Sequence, residues 1–99
     1  MSKIILITGA SAGFGKAIAT KFAAGGWNLI LTARRKEKLD ELAQSLEASY
    51  GIKTLCLAFD IQDKKAVFAH LQNLPTEWQA INILVNNAGT ILRNPAAEH

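Results

Sequence analysis

Thr8-Gly9-Ala10-Ser11-Ala12-Gly13-Phe14-Gly15 is the stretch on which the reading of this chain turns. It follows an apolar, β-branched run, Ile4-Ile5-Leu6-Ile7, with the length of a buried parallel strand, and it precedes a segment with helical spacing. A glycine-rich turn between a strand and a helix is a cradle for phosphate. Glycine takes positive φ and lets backbone approach a ligand, while the helix start behind it adds unpaired N–H groups and the positive end of a dipole. The stretch therefore points to a nucleotide.

Spacing narrows the choice of nucleotide fold. A P-loop requires Gly-x-x-x-x-Gly-Lys-Ser/Thr, but Ala10 stands five residues before Gly15, and Lys16 is followed by Ala17, which has no hydroxyl for magnesium. The fingerprint Gly-x-Gly-x-x-Gly also fails, because residue 11 is Ser and residue 12 is Ala. Thr-Gly-x-x-x-Gly-x-Gly does fit. Taken alone, that match also suits an ordinary tight strand-to-helix turn, so its weight depends on the rest of the chain.

Three further apolar runs end in polar or small residues. Asn28-Leu29-Ile30-Leu31-Thr32 leads into Ala33-Arg34-Arg35, Leu55-Cys56-Leu57-Ala58-Phe59 into Asp60-Ile61, and Ile81-Asn82-Ile83-Leu84-Val85 into Asn86-Asn87-Ala88-Gly89. In an open parallel α/β sheet the C-terminal edge of the strands is where ligands bind. On these motifs the chain from Met1 to about Gly89 resembles the N-terminal part of a short-chain dehydrogenase/reductase. Gly9 to Phe14, Thr32-Ala33-Arg34-Arg35 and Leu74-Pro75-Thr76-Glu77-Trp78 look like the NADP-dependent subgroup acting on 3-hydroxy acids such as serine and allo-threonine. The spacing from Gly89 to Pro95 departs slightly from that subgroup.

The helices are placed by periodicity. Phe14, Ile18 and Phe22 recur at helical spacing with Ala17, Ala19 and Ala23 beside them, and Gly25-Gly26 stops the segment. Leu39, Leu42, Ala43, Leu46 and Tyr50 form the stripe of a second helix ending at Gly51. Asp63 suits the N-cap of a third, which turns Val67, Leu71 and Leu74 inward before Pro75. Alternating strands and helices imply right-handed crossovers and an α/β fold with a parallel sheet. The resemblance implies a Rossmann-type doubly wound sheet in a single NAD(P)-binding domain over residues 1–99, with strand 1 between strands 2 and 4 and strand 3 outside strand 2. The sheet is expected to be truncated after strand 4, leaving that strand as an open apolar edge.

Composition sets further expectations. The chain of 99 residues is 49% hydrophobic and 19% charged, as in a globular domain, and holds no apolar run long enough for a membrane helix. Met1 runs straight into the first strand, leaving no room for a signal peptide. A cytoplasmic address is expected, without membrane association. The single cysteine, Cys56, reads as a small buried hydrophobe. Of the basic residues behind the net charge of +3, Arg34, Arg35, Lys36 and Lys38 cluster after strand 2 and the others are dispersed among acids. That is a local anion site rather than a nucleic-acid surface. His70 and His99 lack neighbours at metal-ligating spacing, so no metal is expected. Trp27 and Trp78 read as packing residues, and His70 as a residue of a helix surface.

The resemblance implies hydride transfer between NADP(H) and a hydroxy or keto substrate in a homo-oligomeric enzyme, dimer or tetramer. Its serine, tyrosine and lysine catalysts would lie beyond the Asn-Asn-Ala-Gly motif, and the Tyr-x-x-x-Lys pattern is absent here: after Tyr50 the fourth residue is Thr54. No catalytic residue is assigned, and the chain alone is expected to be inactive. Gly9, Ala10, Ser11, Ala12, Gly13 and Phe14 would wrap the pyrophosphate and adenine ribose, and Gly15 would allow close helix packing. Ser11 either donates to the cofactor or caps the helix. Asp60 and Ile61 would flank the adenine, unless Asp60 caps the following turn. Asn87, Ala88 and Gly89 would line the cofactor ribose. At the end of strand 2, where an NAD enzyme carries an acid, stands Ala33 followed by Arg34 and Arg35, which favours NADP over NAD. Two readings of another class are a nucleotide-binding module without turnover and a non-functional truncated product.

Overall fold

A computed structural model describes residues 3–10, 13–60, 63–86 and 90–92. The elements run β1 (Ile4–Thr8), α1 (Gly13–Ala24), β2 (Asn28–Ala33), α2 (Lys36–Tyr50), β3 (Thr54–Ala58), α3 (Lys64–Gln72), one 3-10 turn (Thr76–Trp78), β4 (Ile83–Asn86) and β5 (Thr90–Leu92). They form one sheet in the order β3-β2-β1-β4-β5. β3, β2, β1 and β4 are mutually parallel, with Leu6 opposite Ile30 on one side and Leu84 on the other. The predicted order of these four strands is thus the observed one.

Period-two alternation divides the strand residues between two layers. Ile5, Ile7, Leu29 and Leu31 face a core completed by Ala19 and Ala23 of α1 and by Leu39, Leu42, Ala43 and Leu46 of α2. Ile4, Leu6 and Ile30 face the other way, against Leu74 and Trp78, with Leu55, Leu71, Ile81 and Leu84 at the margin. Every residue of β1 is buried, whereas α3 has no fully buried residue. The α1 and α2 layer therefore supplies the more deeply buried helix contacts.

Four expectations require correction. The buried line of α1 is Gly15, Ala19 and Ala23, while Phe14 is 78% exposed and Ile18 and Phe22 are half-buried at the flank. The reason is size: a helix close to a sheet turns its smallest side chains inward. β4 is not the open edge, because β5 pairs antiparallel with it, Val85 opposite Ile91. It also begins at Ile83 rather than Ile81, for Asn82 bonds to Ile4 instead, its N–H donating to the Ile4 carbonyl and its Oδ1 accepting from the Ile4 N–H, both at 2.9 Å. His70 is no free surface residue. It is half-buried and stacks on Phe59, ring centroids 4.5 Å apart.

Side chains stitch the N-terminal ends of the strands as well. Asn28 Oδ1 accepts from the Lys53 N–H at 2.9 Å, and Glu47 Oε2 accepts from the Thr54 N–H and hydroxyl at 3.1 and 2.6 Å. Gly51 closes α2 with φ of 69°, its N–H donating to the Glu47 carbonyl, and the Asp63 carboxylate caps α3 through Ala66 N–H at 3.2 Å as expected.

Because Ile5 is fully buried in the central strand, Ile5→Ala should cost about 2–5 kcal/mol, a large share of what a small domain has. Phe68→Ser, at a side chain 63% exposed, should move stability by no more than about 0.5 kcal/mol. Urea unfolding of the two variants beside the parent chain checks both.

Candidate functional site

Parallel pairing sets the C-terminal ends of β1, β2, β3 and β4 on one edge, and the described residues among those singled out from the sequence lie there. Gly9 follows β1 with φ of 61°, and Gly13 opens α1 with φ of 54°. A side chain at either position would meet its own backbone, so the turn depends on glycine. Between them Ala10 is fully buried, and its N–H donates to the Thr32 carbonyl at 3.0 Å. The turn after β1 is thereby tied to the end of β2. Thr8 is also buried, and its hydroxyl donates to the Val85 carbonyl at 3.3 Å, tying the same turn to β4.

Phe14 lies on the first turn of α1 with its ring in solvent, and Gly15 behind it faces the sheet. The first turn of α1 carries no acidic residue. At the end of β2, Ala33 is 8% exposed and belongs to the core, whereas Arg34 and Arg35 are exposed. Arg35 is the N-cap of α2 with no side-chain hydrogen bond to the helix, so the first-turn N–H groups lack a side-chain cap. Phe59 N–H donates to the Ala33 carbonyl at 3.0 Å, which brings Asp60 beside the end of β2. Arg34 Nη2 stands 3.6 Å from Asp60 Oδ1. The Asp60 carbonyl accepts from the Asp63 N–H at 2.9 Å, so its backbone does serve the following turn.

The structure thus brings together Gly9, Ala10, Gly13, Phe14, Gly15, Arg34, Arg35 and Asp60 at one edge. Ser11, Ala12, Ile61, Asn87, Ala88 and Gly89 lie outside the described residues. Sequence reading missed the Arg34–Asp60 pair, though the signal was present, since each residue ends one of two strands expected to be neighbours. It also missed the binding of Ala10 to Thr32, a backbone bond that no side-chain pattern reports. A cleft of about 410 Å³ between α1 and α2 is lined by Lys16, Lys38, Glu41, Leu42 and Ser45, none of them among the residues at the strand ends.

Among the described residues the arrangement can bind an anion and carries no acid–base pair of its own. Tyr50 stands 42% exposed at the far end of α2. Among the described residues no group of three His, Cys, Asp or Glu side chains is placed to hold a metal ion, and no helix is long and apolar enough to cross a membrane.

The short chain dehydrogenase family model matches residues 3–99, and the chain belongs to that family. It is 47% identical over 98 residues to sulfoacetaldehyde reductase 2 of Chromohalobacter salexigens, covering 99% of this chain and 38% of that protein. It is 50% identical over 93 residues to serine 3-dehydrogenase of Agrobacterium fabrum, covering 93% of this chain and 35% of that protein. Among solved structures it is similar to L-sorbose reductase of Gluconobacter frateurii in complex with NADPH and L-sorbose, with a TM-score of 0.82 and 37% identity over 99% of this chain and 37% of that one. The chain therefore spans little more than a third of the length of the relatives it matches.

Cys56 shows the chemistry of the core below this edge. Its thiol donates to the Leu39 carbonyl at 3.7 Å, and burial, followed by the negative charges of Asp40 and Glu47, pushes its pKa from 9.0 up to about 11. It is a packing residue rather than a nucleophile at neutral pH. The unfolded chain gives up this proton near pH 9 while the folded chain keeps it to about pH 11. The thiol's contribution to stability is therefore complete below pH 9 and is lost as pH rises from about 9 to about 11. Cys56→Ala should show a shallower loss of stability than the parent across that interval, measured by urea unfolding at stepped pH.

Proposed function

We propose that this chain is the cofactor-binding portion, residues 1–99, of a cytoplasmic oxidoreductase that prefers NADP(H) to NAD(H) and acts on a hydroxy or keto substrate. The observation that carries the reading is that the positive-φ glycines Gly9 and Gly13 and the exposed Arg34 stand at the ends of the neighbouring strands β1 and β2, joined by the Ala10 N–H to Thr32 carbonyl bond, beside a residue 33 that is alanine. The donor set fits the group. Positive-φ glycines admit a pyrophosphate to the backbone, the starts of α1 and α2 present N–H groups and positive dipole ends, and a guanidinium offers paired donors to a 2′-phosphate. Gly9, Ala10, Ser11, Ala12, Gly13 and Phe14 would hold the pyrophosphate and ribose, and Gly15 would keep α1 against the sheet.

Arg34 and Arg35 would bind the 2′-phosphate, Asp60 and Ile61 would flank the adenine, and Asn87, Ala88 and Gly89 would line the ribose. The nicotinamide ring, when bound, supplies the site at which hydride is given or taken. This chain's own part is to bind and orient. Similarity to a serine 3-dehydrogenase favours a 3-hydroxy acid such as serine or allo-threonine as the substrate of the whole enzyme, which as a dimer or tetramer would draw its acid–base residues from elsewhere in its sequence.

Calorimetric titration of the chain with NADPH and NADH tests the cofactor assignment. NADPH is expected to bind more tightly, by about tenfold or more, as a charge-assisted pair implies. Equal affinities would overturn it. Ala33→Asp should reverse the order, because a carboxylate there accepts from ribose hydroxyls and repels the 2′-phosphate. It should also lower stability, since that position is nearly buried.

The 99-residue chain should show no turnover of serine or other 3-hydroxy acids with NADP. Its sequence offers no Tyr-x-x-x-Lys pair to move the proton that must accompany hydride. A spectrophotometric assay at 340 nm, about the wavelength where reduced nicotinamide absorbs, reads this directly; turnover that copurifies with the chain through orthogonal columns would refute it.

A further inference from the structure

Two neighbouring strands deliver opposite charges to one patch. Ala33 and Ala58 are register partners, and the Phe59 to Ala33 hydrogen bond continues the pairing one residue beyond β3. Arg34 and Asp60 therefore leave adjacent strand ends side by side, Nη2 to Oδ1 at 3.6 Å, with side chains 68% and 47% exposed. That separation exceeds the ~2.7–2.9 Å of a tight charge-assisted hydrogen bond, and solvent reaches both groups. The pair is close enough to hold Arg34 and loose enough to yield it.

We infer that Asp60 is a positioning residue for cofactor discrimination: its carboxylate holds Arg34 in competition with the cofactor's 2′-phosphate, a role that rests on the proposed preference for NADP(H). A guanidinium has five donors in a rigid fork, and a phosphate carrying nearly two charges on three oxygens outbids one carboxylate oxygen for them. A ribose hydroxyl, being neutral, does not. Arg34 thus exchanges partners only for a phosphorylated ligand, and part of the phosphate's attraction is spent in displacing Asp60. The device sets how strongly the site prefers the phosphorylated cofactor.

The test is the quotient Kd(NADH)/Kd(NADPH), measured by calorimetry on the parent chain, Asp60→Asn, Arg34→Ala and the double variant. Each quotient compares two ligands on one preparation, so effects of Asp60 on the shared adenine and any loss of folded protein cancel. Asp60→Asn should raise the quotient by about two- to fivefold, the range of an exposed ion pair. Arg34→Ala should bring it toward one, and adding Asp60→Asn to Arg34→Ala should then leave it unchanged. An unchanged or lower quotient in Asp60→Asn would overturn the inference. So would an equal rise in the absence of Arg34, which would mark simple repulsion between carboxylate and phosphate. A parent quotient of one, or no binding of either nucleotide, would instead defeat the cofactor reading and this inference with it.

Discussion

β1 pairs with β2 on one side and with β4 on the other, and this double parallel pairing is the constraint on which the other features depend. A strand flanked on both edges and covered on both faces must be apolar or have its polar groups bonded, as Ile4-Ile5-Leu6-Ile7 and the hydrogen-bonded Thr8 are, and all five residues of β1 are buried. Parallel pairing also forbids short hairpins. It forces a helix between successive strands and returns each strand in the same direction, so four strand ends and the starts of α1 and α2 share one edge. The gathering of strand ends and helix starts at one edge is thus a consequence of topology.

The two ends of the sheet are finished in different ways. At the N-terminal ends, Asn28, Asn82 and Glu47 use side chains to satisfy backbone N–H groups at the strand starts. At the C-terminal ends backbone bonds, Ala10 to Thr32 and Phe59 to Ala33, supply ties alongside the Thr8 hydroxyl, which donates to the Val85 carbonyl. Arg34 and Asp60 pair with each other at that end, with both side chains reached by solvent.

Most of this was legible in the sequence because its signals are local. β-branched runs, glycines at turns and Asp63 as a cap each depend on a few consecutive residues, and strand order came from the family resemblance. Features that depend on distance were not legible. The small residues of α1 signalled close packing on the sheet, as Gly15, Ala19 and Ala23 show, but hydrophobic spacing also drew Phe14, Ile18 and Phe22 into a stripe, of which Phe14 is exposed and the other two lie at the flank. Thr90–Leu92 is too short a run for periodicity to mark, so β5 and its antiparallel pairing went unforeseen. The Arg34–Asp60 and Phe59–His70 contacts join residues 26 and 11 positions apart and exist only once the strands are placed.

Trp27 and Trp78 are both packing residues, yet they divide the molecule between them. Trp27 sits against the α1 and α2 layer, edge-on to Phe22 at 5.0 Å with the Lys3 ammonium 5.4 Å from its ring centre, while Trp78 is buried in the opposite layer beside Leu74. Each indole therefore occupies a distinct dielectric environment, one touched by a cation and partly wet, the other apolar. The chain carries an intrinsic fluorophore on each side of its sheet, so single-tryptophan forms would report separately on the loosening of each layer.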